Sequence, residues 1–373
     1  MADNIKGKAS TLHRREVFYV GGQYIPDSNG KHTLQGQMYV ERLLPPETPT
    51  REFPIVFIHG ATRSGTDWLT KPDGQPGWAE YFLNQGFECY LVDLPFRGRS
   101  PWHPGNGAMI DYPAESIQAL FTAPKDFGTW PQAKLHTQWP GPGTMGDPVF
   151  DRFYASGLQI ASDVVLQETA SQAACAALLD RIGRPAILVG HSAGGPVPWL
   201  AADARPGLVA MVVALEPAGP PFFKVGIRSG PGAPWGISNA PITYDPAVAD
   251  PGTDLAKRNV EAPGPGLVDC VLQAEEPPPR RLARLVDVGV LVVTAPASYH
   301  AQYDWGLVRY LRQAGVADVQ HLRLEERGIL GNGHMMFMEK NSDEVAAEIV
   351  RWIDGYRGES EIVDRRAKIS API

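Results

Sequence analysis

Short apolar runs recur along this chain, and stretches with helical periodicity separate them. Ahead of these runs, residues 15–43 alternate apolar and polar positions around glycine turns, which predicts an antiparallel pair of strands. The continuous apolar runs at 53–60 and 87–95 then enclose a helical stretch at 78–86. This order of elements predicts that a βαβ unit follows the antiparallel pair.

The same rhythm returns in the second half of the chain. Apolar runs occupy residues 185–192, 207–217, 289–296 and 319–326, and helical candidates lie between them. Strands that are buried on both faces appear in a sequence as continuous apolar runs, without alternation of apolar and polar residues. We therefore predict an α/β fold with a mostly parallel central sheet flanked by helices.

The last helix carries the clearest helical pattern. Asn341 and Glu344 have the spacing of a capping box, and apolar residues recur at helical spacing from Val345 to Tyr356. We expect the apolar face of this helix to pack on the sheet.

Two regions interrupt the α/β pattern. Residues 101–155 combine many aromatic residues with prolines, and residues 217–287 are rich in proline and show little periodicity. Long irregular segments inside a compact domain are usually functional, and their aromatic content argues against disorder. We interpret the chain as a single domain, residues 1–373, in which both insertions form a lid or cap.

The stretch "ILVGHSAGG", residues 187–195, places one serine among glycines directly after an apolar run. Gly190, Ser192 and Gly194 fit the pattern G-x-S-x-G, in which a serine occupies a cramped turn between a strand and a helix. A glycine-rich turn without chemistry is the alternative, because so short a pattern also arises by chance. The strand before it and the helical stretch after it favour a nucleophilic serine.

A serine hydroxyl needs a base and an orienting carboxylate to become nucleophilic. His334 lies in the glycine-rich segment "GILGNGHMMF" between the last strand and the last helix, and we favour it over His300 and His321. Glu216 ends an apolar strand at the sheet edge that should also carry Ser192, and a charged group there needs a partner. Asp304, eight residues beyond the next strand, is the rival acid and is more typical of a helix cap.

The loop after the first central strand reads "HGATRSG", residues 59–65. Small residues in such a loop allow a backbone N–H to face a substrate oxygen, so we predict an oxyanion hole formed by the amides of Ala61 and Ala193. We expect His59 to brace this loop and not to act in catalysis.

Three motifs resemble those of the α/β-hydrolase superfamily: "HGATRSG", "DLPFRGRS" at 93–100 and "GHSAGG" at 190–195. The resemblance covers residues 50–100, 185–217 and 285–356. Within the superfamily, the chain looks like a group of bacterial and fungal serine esterases whose catalytic glutamate follows strand six. Some members carry adjacent cysteines after the "HG", whereas this chain has Ala61 and Thr62.

The resemblance implies a triad of Ser192, Glu216 and His334, hydrolysis through an acyl-enzyme, and no cofactor. The sequence offers no support for a metal site. The aromatic insertions favour a small-molecule ester with a hydrophobic or aromatic group as substrate. A lactonase or a hydrolase of carbon–carbon bonds could use the same triad. A noncatalytic ligand-binding protein of this fold is the alternative from another class.

Composition and charge limit the binding partners and the cellular locations that the sequence allows. The net charge of −7 is spread over 373 residues without a basic block, which argues against nucleic acid. No apolar stretch reaches the length of a membrane span. The polar start of the sequence predicts a cytoplasmic protein, or an exported one if a natural leader has been removed. The three cysteines are far apart and are expected to be free thiols, and a homodimer through the proline-rich insertions stays open.

Overall fold

The computed structural model describes residues 11–356, and its centre is a twisted eight-stranded sheet with the order β1-β2-β4-β3-β5-β6-β7-β8. The polar start of the sequence, residues 1–10, lies outside the described residues. The strands are β1 (Arg14–Pro26), β2 (His32–Leu44), β3 (Ile55–Ile58), β4 (Cys89–Asp93), β5 (Ala186–His191), β6 (Val209–Leu215), β7 (Gly289–Thr294) and β8 (Val319–Arg323).

The sheet has the predicted mixture of directions. Strands β1 and β2 pair antiparallel, and β2 joins the rest of the sheet antiparallel to β4. All further pairings, from β4 through β3 to β8, are parallel. Every residue of β3 to β7 is buried, which explains why these strands appear in the sequence as unbroken apolar runs.

Helices cover both faces of the sheet. The helices are α1 (Trp78–Asn84), α2 (Val164–Ile182), α3 (Pro196–Ala204), α4 (Asp304–Gln313) and α5 (Ser342–Gly355). The apolar side chains of α2, α3 and α4 belong to the core on one face, and those of α1 and α5 belong to the core on the other. The prediction of a parallel sheet between two helical layers is confirmed.

Helix α5 begins where the sequence predicted, but its capping box does not form. Asn341 is the N-cap residue and makes no side-chain cap hydrogen bond. Its side-chain amide is engaged by Asn332 instead, accepting at 2.6 Å and donating at 3.0 Å. The capping-box prediction was therefore wrong, because a tertiary contact uses the side chain that the local motif requires.

The two insertions contain short elements only. The first holds the helical turns Pro104–Asn106, Ala114–Ile117, Gln118–Thr122, Pro124–Phe127 and Pro131–Leu135, the helix Pro148–Ala155, and the strand Met109–Ile110, which pairs with Ile160–Ala161. The second holds the strands Phe223–Lys224, Gly230–Pro231, Tyr244–Asp245, Lys257–Val260, Cys270–Gln273 and Arg281–Leu282, and the turn Pro251–Asp254. Further helical turns lie at Gly65–Trp68, Ser192–Gly194, Tyr299–Gln302 and Leu324–Arg327.

Two predictions from composition can be compared with the fold. No helix within residues 11–356 is both long and apolar enough to cross a membrane. Cys89, Cys175 and Cys270 are all buried and unpaired, as expected for free thiols.

Candidate active site

Ser192 lies at the turn between β5 and α3 in a backbone conformation that L-residues rarely adopt, with φ of 51°. This turn is tight enough to require glycine on both sides. A Cβ on Gly190 would lie 2.8 Å from Pro198 Cγ, and one on Gly194 would lie 2.2 Å from the carbonyl oxygen of His59. The sequence pattern therefore has a steric cause, and Ser192 is held partly exposed at the carboxyl end of the sheet.

Glu216 directly follows β6, the strand next to β5, and it also has a positive φ of 42°. Its side chain is completely buried. One carboxylate oxygen accepts a hydrogen bond from the backbone N–H of Ala295 at 2.8 Å, and the other accepts one from the Ser298 hydroxyl at 2.6 Å. These donors stabilise a carboxylate that is shielded from bulk solvent.

His334 lies in the loop between β8 and α5, and its imidazole Nδ1 is 2.6 Å from Glu216 Oε2. The loop is held by Glu339, whose carboxylate accepts hydrogen bonds from the Gly333 N–H and the Asn332 side chain and also contacts His136 Nε2 at 2.7 Å. His136 belongs to the first insertion, so that insertion helps to fix the position of His334.

The neighbour of the predicted nucleophile also positions His334. His191 Nε2 donates to the His334 carbonyl oxygen at 3.0 Å, and the two imidazole centroids are 4.5 Å apart. Burial lowers the pKa of His191 well below its ordinary value, so this imidazole is neutral and is suited to donate from one fixed tautomer.

Ser192 and His334 line one cavity of about 180 Å³, but within residues 11–356 no hydrogen bond joins the serine hydroxyl to the imidazole. His334 Nε2 lies 3.3 Å from the Tyr299 hydroxyl instead. Hydrogen bonds between a nucleophile and its base are often long or poorly aligned until the Michaelis complex forms.

Electrostatics keep the imidazole of His334 neutral at rest. Burial, and then the charge of His300, lower its pKa well below the ordinary value of histidine. Burial also raises the pKa of Glu216, although the charge of His300 and the hydrogen bonds from Ser298 and Ala295 oppose the rise. A neutral imidazole is the form that can accept a proton.

Ala61 and Ala193, the predicted oxyanion donors, both line cavities at the candidate site. Ala61 lines the cavity that contains Ser192, and both alanines line a second cavity beside it. The backbone of Gly60 packs closely on the turn that carries Ser192. A Cβ on Gly60 would lie 3.1 Å from Ser192 Cβ. The loop before Ala61 is thus in direct contact with the serine.

His59 braces this loop, as the sequence predicted. Its Nε2 accepts a hydrogen bond from the Leu94 N–H at 3.0 Å, and its Nδ1 lies 2.9 Å from the Gly60 carbonyl oxygen. Burial and the nearby charge of Arg97 lower the pKa of His59 to about 3, so the ring is neutral. His59 does not line the cavity that contains Ser192.

The motif "DLPFRGRS" supports the same loop from the other side. Asp93 accepts a hydrogen bond from the Gly65 N–H at 2.8 Å and is paired with Arg99 at 2.8 Å. Arg97 donates to the Gly60 carbonyl oxygen at 2.9 Å. The segment therefore ties β4 to the backbone that carries Ala61.

The rival residues from the sequence form a second pair behind the first. His300 Nδ1 lies 2.9 Å from Asp304 Oδ1, and Asp304 Oδ2 accepts from the Thr294 hydroxyl at 2.7 Å. Thr294 in turn contacts His321 Nε2 at 2.9 Å. Asp304 is the first residue of α4, near the cap position that we expected, and it contacts His300 and not His334.

Glu216, His300 and His334 also form the one group in residues 11–356 whose ligand atoms could hold a metal ion, since these atoms lie within 4.8 Å of one another. All three side chains are buried, and Glu216 and His334 are already bonded to each other. The arrangement is explained by the hydrogen bonds alone.

The cavity at Ser192 is mostly apolar. Side chains of the first insertion form much of its wall, and Phe121 from that insertion stacks on the His334 ring with centroids 5.1 Å apart. Its lining includes the apolar side chains of Ile117, Phe121, Phe153, Tyr154, Leu158 and Met335, and the charged residues Arg63 and Asp111 also line it. Such a wall is suited to an apolar or aromatic group of a ligand.

Comparison with known proteins agrees with this fold and these motifs. Residues 55–348 match the family model described as "Alpha/beta hydrolase family". The chain belongs to the alpha/beta hydrolase family. The prediction of this superfamily from three short motifs is confirmed.

One similar sequence and one similar solved structure accompany this match. The chain is 48% identical over 336 residues to a "Probable secreted lipase phiG" from Fungal sp. (strain ATCC 74256), an alignment that covers 90% of this chain and 88% of the relative. Among solved structures, a "Novel Bacterial Esterase" is similar with a TM-score of 0.60 and 21% identity, covering 93% of this chain and 97% of that one. At this identity the second comparison supports the fold alone.

Several residues around the site escaped the sequence reasoning. Ser298 and Tyr299 contact Glu216 and His334, yet they carry no motif that separates them from other loop residues. Their position directly after an apolar strand, at the edge where Glu216 also lies, is the signal that could have found them. Arg97 lies inside a motif that we had assigned to the family without giving the arginine a role.

Proposed function

We propose that this protein hydrolyses a carboxylic ester through an acyl-enzyme, with Ser192 as nucleophile, His334 as general base and Glu216 as the orienting acid. The contact of 2.6 Å between His334 Nδ1 and the buried Glu216 carboxylate, beside the cavity that contains Ser192, carries the proposal. Membership of the family and the similarity to a lipase support an activity of the lipase or esterase type.

In the first half of the reaction, His334 Nε2 removes the proton of Ser192 as the oxygen attacks the ester carbonyl. Glu216 keeps the Nδ1 proton in place and stabilises the imidazolium that forms. The amides of Ala61 and Ala193 donate to the oxyanion. His334 Nε2 exchanges its contact with the Tyr299 hydroxyl for one with Ser192 when substrate enters.

In the second half, His334 gives its proton to the departing alcohol and then activates a water that cleaves the acyl-enzyme. No cofactor or metal takes part in this scheme. The two insertions, residues 101–155 and 217–287, form the walls of the binding site on this proposal, and the stacking of Phe121 on His334 supports this role for the first.

The direct test compares wild-type protein with Ser192→Ala, using Ser28→Ala in the exposed turn between β1 and β2 as control. Wild type and the control should react with a fluorophosphonate probe and cleave aryl esters. The Ser192→Ala variant should do neither and should keep its circular dichroism spectrum. Unlabelled wild-type protein would favour a noncatalytic binding protein, and a panel that also contains lactones distinguishes a lactonase from an esterase.

The lipase relative carries the word "secreted" in its name, which supports the export alternative of the sequence analysis. We propose that the protein acts outside the cell that makes it. Immunodetection in culture medium and in washed cells tests this location, and protein found only in the cells would refute it.

A further inference from the structure

A second cavity of about 280 Å³ adjoins the candidate active site, and the scheme above places no part of the substrate in it. It shares Ala61 and Tyr112 with the cavity that contains Ser192, and Ala193 also lines it. The proposed oxyanion hole therefore lies between two cavities. We call them the serine cavity and the arginine cavity, because the second is lined by Arg97.

Arg97 is a buried cation without an anionic partner. Its side chain is 6% exposed, and it donates to the Gly60 carbonyl oxygen and to the side-chain oxygen of Gln167. Its Nε has no hydrogen-bond partner, and Arg97 forms no ion pair with any carboxylate in residues 11–356. Burying an unpaired guanidinium is costly unless something compensates its charge.

The other charged groups of the arginine cavity do not supply this compensation. Glu168 lies on the wall, but its two oxygens accept hydrogen bonds from the Asn239 N–H and side chain and from the Ala240 N–H. Lys224, which is exposed at the same cavity, adds a second positive charge. Burial lowers the pKa of Arg97 to about 10, which leaves the guanidinium protonated at neutral pH.

The position of the cavities assigns each to one arm of an ester. His334 must give its proton to the departing alcohol, so the alcohol lies on the His334 side, in the apolar serine cavity. The acyl chain then extends past the amides of Ala61 and Ala193 into the arginine cavity. Arg97 is bonded to Gly60, the residue that precedes Ala61, so its charge lies beside the loop that carries this proposed oxyanion donor.

We infer that the arginine cavity is an acyl-binding subsite for a carboxylate, and that the substrate is a monoester of a short dicarboxylic acid with an apolar or aromatic alcohol. This inference rests on the proposed function and names its substrate class. Hydrolysis breaks the bond between the acyl carbon and the alcohol oxygen, and the alcohol takes a proton from His334. Water then supplies the hydroxyl of the new carboxyl group, so the products are the alcohol and a dicarboxylate.

The test uses two benzyl esters that differ only at the far end of the acyl chain: monobenzyl glutarate, which is anionic, and the benzyl ester of glutaramic acid, which is neutral. Benzyl alcohol release gives kcat/KM for each. We expect wild-type protein to favour the anionic ester by about 10- to 100-fold, the range expected for a hydrogen bond to a charged group in place of a neutral one.

The variant Arg97→Gln separates recognition from a purely structural role. Loss of recognition lowers the ratio of the two kcat/KM values to about one, whereas damage to the Gly60 loop lowers both values and leaves the ratio as in wild type. Arg152→Gln, an exposed arginine that lines neither cavity, is the matched control and should keep the wild-type ratio. If Arg97→Gln fails to fold, competitive inhibition of the wild-type protein is measured instead. We then expect glutarate to inhibit at least about tenfold more strongly than butyrate.

Two failures are distinguishable. If the neutral ester is cleaved at Ser192 but the anionic ester is not preferred, the inference is wrong and the proposed function stands. If neither ester is cleaved and the fluorophosphonate probe does not label Ser192, the proposed function itself fails. Preference for an ester with its carboxylate on the alcohol arm would overturn the assignment of the arms.

Discussion

The imidazole rings of His300 and His334 lie almost parallel, with 8° between their planes and 5.0 Å between their centroids. His334 contacts Glu216 and His300 contacts Asp304, so two histidine–carboxylate pairs lie side by side through their stacked imidazoles. Burial disfavours a charge on His300, but the attraction of Asp304 and Glu216 outweighs it and raises the pKa of His300. The surroundings thus favour the charged form of His300 and the neutral form of His334, which it faces.

This stacking predicts the pH dependence of the reaction. Only neutral His334 can act as base, so kcat/KM falls as the pH drops through its pKa. Because burial and the charge of His300 lower that pKa, the acid limb of the wild-type profile should lie below pH 6.5, the ordinary value for histidine. In His300→Gln the repulsion is gone and Asp304 loses its partner, so the limb should move to higher pH.

The control for this experiment is His13→Gln, which removes an exposed histidine. Its profile should match wild type within error. A His300→Gln limb at the wild-type pH would show that the charge of His300 does not reach His334.

Replacement of Glu216 tests the orienting acid. In Glu216→Gln the amide forces the wrong tautomer or a poor contact at His334 Nδ1, so we expect kcat to fall by about 10³- to 10⁴-fold with little change in KM. Asp304→Asn should cost much less, because Asp304 contacts His300 and not His334. Single-turnover kinetics of both variants measure this difference, and a larger loss in Asp304→Asn would reverse the assignment.

Much of the fold could be predicted from the sequence because strands that are buried on both faces consist almost entirely of apolar residues. The strands β3 to β7 contain almost no polar side chains, and the steric demands at Gly190 and Gly194 are visible as glycines. The expected order of serine, acid and histidine came from the resemblance to the α/β-hydrolase superfamily, and strand ends that meet at one edge of a parallel sheet supplied the candidate residues. The strands and the glycine positions depend on local chemistry that each residue carries by itself.

The remaining features depend on contacts between distant segments. Asn341 faces Asn332 and not its own helix, and the Tyr299 hydroxyl competes for His334 Nε2. The missing partner of Arg97 appears only when the cavity around it is known, since a surface arginine has the same sequence signal. The periodicity of apolar residues along the chain does not indicate such contacts between distant segments.

Chelation tests the expected absence of a metal. Glu216, His300 and His334 could supply three ligand atoms, yet the proposed chemistry uses the hydrogen bond between Glu216 and His334 and no ion. Activity should therefore be unchanged after dialysis against a strong chelator, as judged by kcat/KM for an aryl ester. Loss of activity that added zinc restores would show that the cluster holds a metal instead.

The last prediction concerns the turn that presents Ser192. In Gly194→Ala the new methyl group would lie 2.2 Å from the His59 carbonyl oxygen, a backbone atom that cannot move without displacing the loop before Ala61. We expect a loss of about 1–3 kcal/mol in the free energy of unfolding, measured with urea, together with a fall in kcat. Gly264→Ala is the matched control, because a Cβ there meets no atom within 4 Å and its φ is not in the left-handed region. Equal stability of the two variants would mean that the turn at Ser192 is less tightly packed than its geometry indicates.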